Sequence, residues 1–395
     1  MSVCIFMKNK PLKVTVCYAL LYRFRVPIFQ RLADHPNLSV NFLVGKGVKG
    51  AKHACADDNA GLNVVSMKTF GVRIVTSGRV VPLSFNPSLL FHLIKTNPDV
   101  LLIQGGEVPN NLVILTYAKI FRKKIVWWSL GEVQGRTYSK PAQAYRKLVQ
   151  FIEKRCDVYL GYSSTSGQYF LDQGYDPSLV YSLVNVVDTE QVKALIPEDR
   201  KHITSIKNKI GINNEIVLLF VGSLTETKGI TRLIKAVSAL EDLDFHLVIV
   251  GDGIEREKAE RLTHEKKLGE KVTFVGAIYK NVGSYFEMGD ILVMPGTGGL
   301  VVSEGMTHGL PVICSVGDGS EQDLVKDGIN GFIIPPDNVI ALTDILRQCL
   351  EKPEMLNKMG EASLDIIKKQ HNIESYMRTM FKAIFCANSQ SNPNN

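Results

Sequence analysis

The sequence predicts an α/β protein made of two doubly wound, Rossmann-like domains, each with a parallel sheet, that face a central cleft. Short apolar runs alternate with amphipathic stretches along the chain, a pattern typical of parallel sheets covered by helices. This alternation restarts near residue 215, and 395 residues are enough for two domains. With 45% hydrophobic and 22% charged residues, the composition is that of a globular protein.

The first half of the chain contains continuous apolar runs of the kind that form buried parallel strands. We expect strands at 13–20, 38–45, 99–106, 124–131 and 157–163. Helical periodicity predicts helices at 26–35, 111–124, 141–155 and 166–175.

The second half repeats the arrangement. Strands are predicted at 215–223, 244–253, 271–278, 290–296 and 311–317, and helices at 228–240, 255–269, 300–309 and 339–352. We therefore divide the chain into an acceptor-side domain at 1–195, a second domain at 196–385 and a disordered polar tail at 386–395. Ligands are expected beyond the carboxyl ends of the strands.

Charge is distributed unevenly between the halves. Residues 1–190 hold 23 Lys and Arg against 12 Asp and Glu, and the remaining residues hold 23 against 27, which together give the net charge of +7. The basic half suggests an anionic partner such as a lipid surface, a pyrophosphate-linked acceptor or nucleic acid, with ordinary solvated surface charge as the alternative. The seven cysteines form no CxxC pair, so neither a disulfide framework nor a zinc site is expected.

The beginning of the chain has the wrong order and length of apolar and basic residues for a signal peptide. No run reaches the roughly 18 apolar residues of a membrane span. We expect a cytoplasmic protein, or one bound peripherally at the cytosolic face of the inner membrane.

The segment EIVLLFVGSLTETKGITRLIK (215–235) contains the first candidate phosphate site. A buried strand runs into Gly222 and Ser223, and Lys228 opens the following helix. A lysine beside the free amides of a helix N-terminus is suited to binding a phosphate, although a solvated lysine is the alternative.

The segment DILVMPGTGGLVVSEGMTHGLPV (290–312) contains the second candidate site. Gly298 and Gly299 allow the backbone to approach a ligand, and the amides of Gly299, Leu300 and Val301 are expected to bind a pyrophosphate. Glu304 lies one turn further on, where its carboxylate could accept hydrogen bonds from a ribose diol. The alternative is an acid placed favourably near a helix N-terminus.

Taken in order, VGSLTETKG, VIVGDG, VTFVGAI, PGTGGLVVSEGMTHGLPV and DLVKDGINGFIIPPD resemble the second domain of glycosyltransferase family 4. This family, also described as glycosyl transferases group 1, has the two-domain GT-B fold, uses nucleotide sugars and retains configuration at the transferred sugar. The resemblance implies that Lys228 and the amides of Gly299, Leu300 and Val301 bind the donor pyrophosphate. Glu304 would bind the ribose, and Ala277 and Ile278 the base.

Three positions depart from the family pattern. Ser223 replaces the arginine that partners the lysine, Gly296 replaces the first glutamate of the Glu-x7-Glu pair, and Ser129-Leu130-Gly131 replaces a glycine-x-histidine-glycine element. Arg23 and Arg25, in the first β–α loop, are the candidates for replacement charge from the first domain.

The resemblance implies a glycosyltransferase of the hexosyl type with no metal and no cofactor, the nucleotide sugar being a co-substrate. The expected acceptor is a glycan or lipid-linked glycan in surface polysaccharide biosynthesis, and no nucleic-acid partner is expected. The basic, aromatic stretches 119–124 and 141–155 also suggest peripheral contact with an anionic membrane, or else an ordinary solvated face. The alternative functions are a non-catalytic nucleotide-sugar-binding subunit, suggested by Ser223 and Gly296, and an epimerase or phosphorylase of the same fold.

Overall fold

The structure, a computed structural model, describes residues 10–46, 61–76, 79–131, 140–213, 215–317 and 319–390, without the side chains of residues 72–76, 79–83 and 141. It divides into two compact units. The first combines Met1–Leu183 with Met377–Asn395, and the second is Val184–Tyr376.

The first unit is built on a parallel sheet. The strands of the unit are, in chain order, β1 (Leu12–Tyr18), β2 (Leu38–Gly45), β3 (Val64–Met67), β4 (Phe70–Thr76), β5 (Arg79–Phe85), β6 (Val100–Gln104), β7 (Lys124–Ser129), β8 (Val158–Gly161) and β9 (Val180–Ser182). Strands β4 and β5 form a separate antiparallel hairpin, and the other seven form the parallel sheet. The sheet order is β3-β2-β1-β6-β7-β8-β9. The order reverses between β1 and β6, and this position is the switch point of the first sheet.

Helices cover this sheet. They are α1 (Val26–Ala33), α2 (Leu89–Thr96), α3 (Val108–Ile120), α4 (Lys140–Glu153) and α5 (Ser164–Asp172). Consecutive residues of β6 and β7 are fully buried, among them Leu101, Leu102, Trp127 and Trp128. Neighbouring residues of a strand point to opposite faces, so both faces of the sheet are covered, as its continuous apolar strands predict.

The second unit has six parallel strands. They are β10 (Ile216–Val221), β11 (Phe245–Val250), β12 (Val272–Gly276), β13 (Ile291–Met294), β14 (Val312–Ser315) and β15 (Gly331–Ile334), in the order β12-β11-β10-β13-β14-β15. The register pairs Leu218 of β10 with Ile291 of β13. The switch point of this sheet therefore lies between β10 and β13.

The helices of the second unit connect these strands or pack beside them. They are α6 (Thr189–Arg200), α7 (Ile203–Ile210), α8 (Ile230–Val237), α9 (Arg256–Glu265), α10 (Gly283–Met288), α11 (Leu300–Thr307), α12 (Ser320–Leu324), α13 (Val339–Glu351) and α14 (Glu354–Lys369). A final helix, α15, spans Ile373–Ser389.

The division between the units differs from the boundary predicted at residue 195. The structure divides the chain after Leu183, so α6 belongs to the second unit. Contacts within that unit explain this, since Asp199 of α6 accepts a hydrogen bond from Ser284 Oγ at 3.3 Å. Thr189 Oγ1, at the other end of α6, accepts one from the amide of Ile373 at 3.2 Å.

The end of the chain also differs from the prediction of a second domain to residue 385 and a disordered tail from 386. Residues from Met377 onward group with the first unit, and α15 remains helical to Ser389. The ring of His35 lies 4.3 Å from that of Phe381, which packs this part of α15 on the first unit. Residues 391–395 lie outside the described residues.

Candidate functional site

The predicted donor-site residues lie in loops at the carboxyl edge of the second sheet. Gly222 follows β10 directly, and Gly296 follows β13 after one residue. Since β10 and β13 are neighbours in the sheet, these two loops flank its switch point, where such sheets bind ligands.

Glycines bring the loops after β10, β11 and β12 into backbone contact. A Cβ placed on Gly251 would lie 1.8 Å from the carbonyl oxygen of Gly222. The amide of Gly251 also donates to the carbonyl of Gly276 at 2.8 Å. Ala277, which is exposed, and Ile278, which is partly buried, come next. The predicted base-contacting residues thus lie at the same edge of the sheet as Gly222.

Lys228 connects the two sequence motifs. It ends a 3-10 turn before α8, and its Nζ donates to the carbonyl of Thr297 at 2.5 Å and to that of Gly298 at 3.3 Å. The backbone follows the same course, because the amide of Thr297 donates to the carbonyl of Thr227 at 3.0 Å. The predicted phosphate-binding lysine therefore lies against the glycine-rich loop 296–299.

Gly296, where the family pattern has a glutamate, occupies a position with no room for a side chain. A Cβ there would lie 2.1 Å from the carbonyl oxygen of Thr227 and 2.8 Å from the Cα of Lys228. Both neighbours are backbone atoms, so they could move only if the loop moved. The presence of glycine at position 296 is thus linked to the close packing of the loop after β13 on the loop after β10.

Gly299 precedes α11 with φ +66°, a left-handed conformation that favours glycine. Its amide lies 3.5 Å from Glu321 Oε1, and the amide of Gly298 donates to the same oxygen at 2.9 Å. This differs from the expectation that the Gly299 amide binds a pyrophosphate, because a carboxylate of the chain already lies there. The amides of Leu300 and Val301, in the first turn of α11, have no intrahelical acceptor, and such amides are suited to an anion.

Glu304 lies one turn into α11 and is partly buried. Burial raises the pKa of its carboxyl, and the nearby carboxylate of Asp199 adds to this rise. His308 Nδ1 lies 2.6 Å from Glu287 Oε1, while Arg200 Nε donates to Glu287 Oε2 at 2.6 Å. Glu304 is therefore flanked by a charged cluster from α6, α10 and α11 that the sequence did not predict.

Ser223 is exposed, and a different cation lies near the loop. Arg232, one turn after Lys228, donates from Nη2 to the carbonyl of Pro295 at 3.2 Å. Its Nη1 pairs with Asp337 Oδ1 at 2.7 Å. The sequence analysis missed this arginine, which lies in α8 just after the turn that carries Lys228.

The two arginines proposed from the first unit have different environments. Arg23 is exposed in a 3-10 turn shortly after β1. Arg25 is only 3% exposed, with its guanidinium 4.6 Å from the centre of the Trp128 ring. Its Nε donates to the hydroxyl of Tyr18 at 3.3 Å. This burial contradicts a surface role for Arg25 and leaves Arg23 as the accessible one of the two.

A cavity near the switch point of the first sheet was also missed. It encloses about 280 Å³, part of it open to solvent, between the ends of β1 and β2 and helices α2 and α3. Glu107 lines it and accepts a hydrogen bond from Ser84 Oγ. Burial raises the pKa of the Glu107 carboxyl, and the bond from Ser84 lowers it.

Within the described ranges, no group of three or more His, Cys, Asp and Glu side chains is arranged to hold a metal ion. Among the same residues, every helix is too short or too polar to cross a bilayer.

Comparison with known proteins identifies relatives of the second unit. Residues 202–365 match the family described as Glycosyl transferases group 1. The α-D-kanosaminyltransferase of Streptomyces kanamyceticus is 25% identical over 193 residues, which cover 47% of this chain and 49% of that relative. The match thus spans about half of that relative's length.

Solved structures match over nearly the whole chain. A glycosyltransferase from Rickettsia africae has a TM-score of 0.74 at 17% identity, covering 97% of this chain and all of that one (100%). HepE of Anabaena, in complex with UDP-glucose, has a TM-score of 0.70 at 17% identity, covering 95% and 99%. At such low identity these likenesses establish the fold, and the predicted class with two parallel sheets is confirmed.

The matched residues carry Lys228, the loop 296–299 and Glu304. Through this second unit, the chain is similar to the Glycosyl transferases group 1 family over residues 202–365, and its fold is GT-B.

Proposed function

We propose that this protein transfers a sugar from a nucleotide-sugar donor to the hydroxyl of a glycan or lipid-linked glycan. The observation that carries the proposal is the contact between Lys228 and the loop 296–299 at the switch point of the second sheet. A cation beside unpaired first-turn amides is an arrangement suited to a diphosphate. The UDP-glucose complex of HepE makes uracil the first base to test.

Each donor group has a proposed partner at this edge of the sheet. The diphosphate would lie between the ammonium of Lys228 and the amides of Leu300 and Val301, with Gly222 and Ser223 beside it. Glu304 would bind the ribose, and the chain at Ala277 and Ile278 would contact the base. Arg23 is the candidate for additional positive charge from the first unit.

The proposed reaction needs neither a metal nor a cofactor. The bond between the anomeric carbon and the phosphate oxygen breaks, and a bond to the acceptor oxygen forms. The acceptor proton passes to the departing phosphate. Lys228 and the N-terminus of α11 would stabilise the charge that develops on that phosphate. Attack from the face the phosphate leaves would retain configuration, and an inverted product in an NMR assay would contradict this step.

A second function, a non-catalytic nucleotide-sugar-binding subunit, is favoured by one observation. The close backbone contact at Gly296 excludes the glutamate that the family pattern has there. A protein of this kind would bind the donor but neither transfer nor hydrolyse its sugar. Turnover measured beside binding therefore separates the two functions.

The main experiment is calorimetric titration with UDP, GDP, ADP and their common sugars. We expect one nucleotide class to bind, and Lys228→Ala and Glu304→Ala each to weaken binding about tenfold or more, or about 1.4 kcal/mol. Lys235→Ala is the matched control, because Lys235 is exposed on α8, the helix that follows the turn of Lys228. Absence of binding to every nucleotide would contradict the proposal.

We also propose a peripheral site at the cytosolic face of an anionic membrane, which suits a lipid-linked acceptor. Phe121 is 47% exposed and Phe151 44%, and both stand among lysines and arginines of α3, α4 and the segments that follow them. Exposed aromatic rings beside basic residues favour binding to anionic headgroups. Vesicles with phosphatidylglycerol should sediment the protein at low salt, and Phe121→Ser with Phe151→Ser should reduce this. Sedimentation of an equal amount of the protein with neutral vesicles would contradict the proposed site on an anionic membrane.

A further inference from the structure

We propose that Glu321 is a positioning residue for the donor site and that it acts on Lys228 through two peptide units of the loop 296–299. The inference rests on the proposed function and adds a residue to its site. Glu321 lies in α12, more than 90 residues along the chain from Lys228.

The carboxylate of Glu321 joins two loops of the second unit. It is fully buried, at 0% exposure. Its Oε1 accepts from the amides of Gly298 and Gly299 at 2.9 and 3.5 Å. Its Oε2 accepts from the amides of Gly317 and Gly319 at 3.2 and 3.1 Å. Such bonds to an ionised acceptor are stronger than neutral ones, so this side chain fixes the loop.

The same peptide units contact Lys228 from their opposite ends. The peptide between Thr297 and Gly298 directs its carbonyl to Lys228 Nζ at 2.5 Å and its N–H to Glu321 at 2.9 Å. The next peptide repeats this arrangement at 3.3 and 3.5 Å. Each peptide dipole therefore lies between a cation at its oxygen end and an anion at its hydrogen end. This arrangement couples the orientation of Lys228 to the charge on Glu321.

Glycine is required for this arrangement. A Cβ on Gly317 would lie 2.7 Å from Glu321 Oε1, and a Cβ on Gly298 would lie 2.5 Å from the Cγ2 of Val302. The loop thus brings its amides close enough to bind one carboxylate. It leaves the first-turn amides of α11 for the donor.

The neutral variant Glu321→Gln tests this coupling, because its single carbonyl oxygen cannot accept from both pairs of amides. We expect the dissociation constant for UDP to rise about tenfold. In the double variant Lys228→Ala/Glu321→Gln, the dissociation constant for UDP should differ by less than about twofold from that of Lys228→Ala alone, because the effects of residues that act through one another are not additive. Additive losses in the double variant would overturn the inference while leaving the proposed function intact.

Asp290→Asn is a control for the loss of a carboxylate that binds backbone. Asp290 accepts a backbone amide, that of Val217 at 2.7 Å, but it is exposed and lies before β13, at the opposite edge of the sheet. We expect this variant to be additive with Lys228→Ala and to leave UDP affinity near that of the unmodified protein.

A second measurement does not depend on nucleotide binding. In urea denaturation of the free protein, the double variant Lys228→Ala/Glu321→Gln should shift the midpoint by less than the sum of the shifts of the two single variants. This cycle tests the coupling even if the unmodified protein binds no nucleotide, which would refute the proposed function alone. Additive midpoint shifts would refute the coupling.

Discussion

The switch points of the two sheets are built differently. In the second unit, backbone meets backbone: the loops after β10, β11 and β13 approach so closely that Gly251 and Gly296 have no room for a side chain. In the first unit, aromatic side chains pack near the corresponding strand ends, beside the cavity lined by Glu107. The rings of Tyr18 and Trp128 lie 5.6 Å apart, and the Arg25 guanidinium lies on Trp128.

This difference explains why one site can be recognised in the sequence and the other cannot. Close backbone contact admits only glycine, so the loops of the second unit carry a pattern of glycines that can be read in the sequence. Aromatic packing can be achieved by many combinations of side chains. The first unit therefore leaves little trace in the sequence, and its cavity beside Glu107 became visible only in the structure.

The largest effect is expected from Gly296→Ala. The added methyl group would meet the carbonyl of Thr227, so the loop and Lys228 must move. We expect a loss of about 1–3 kcal/mol in the free energy of unfolding, by analogy with overpacked cores. UDP affinity should fall at least tenfold, or by about 1.4 kcal/mol. Urea denaturation and calorimetry measure the two effects.

Gly269→Ala is the control for this change, because Gly269 has open space around its Cβ position and belongs to the same unit. It should alter stability by less than about 0.5 kcal/mol and leave UDP binding unchanged. If Gly296→Ala behaved like this control, backbone contact would not be what defines the second switch point.

A smaller effect, confined to the first unit, is expected from Arg25→Ala. Removing a buried guanidinium from the Trp128 ring should lower the free energy of unfolding by about 2 kcal/mol, the value for a desolvated cation–π contact. UDP affinity should stay within about twofold, as the proposed donor residues belong to the second unit. Arg23→Ala, at an exposed neighbour, should leave stability almost unchanged.

The opposite result would revise the comparison. Weaker UDP binding by Arg25→Ala at unchanged stability would restore the sequence-based role of Arg25 in donor binding. Weaker binding by Arg23→Ala alone would instead identify Arg23 as the cation from the first unit.

Local patterns predicted most of the second unit. The predicted strand 244–253 contains β11, and the predicted helix 339–352 corresponds to α13 within one residue. The hairpin of β4 and β5 and helix α2 were not predicted, since their stretch lacks the strand–helix alternation used elsewhere. The burial of Arg25 escaped prediction because two of its ring partners, Trp128 and Tyr162, lie far along the chain.

The candidate site was predicted from local signals. Lys228, Leu300, Val301 and Glu304 were chosen from helix starts and glycines alone, although Lys228 ends a 3-10 turn and α8 begins only at Ile230. Glu321 could not, because it reaches the amide of Gly298 across 23 residues and through a second loop. A carboxylate in the first turn of a short helix gives no sign in the sequence of which distant amides it binds.

Helix α15 has a consequence for synthesis on the ribosome. The first unit includes Met377–Ser389, which emerge after the whole second unit. The 193 residues from Val184 to Tyr376 (376 − 183) intervene. At roughly 5–20 residues per second, they take about 10–40 s to translate. Until then, the side of His35 that packs on Phe381 has no covering helix. The half of the protein that is made first is therefore the half that is finished last.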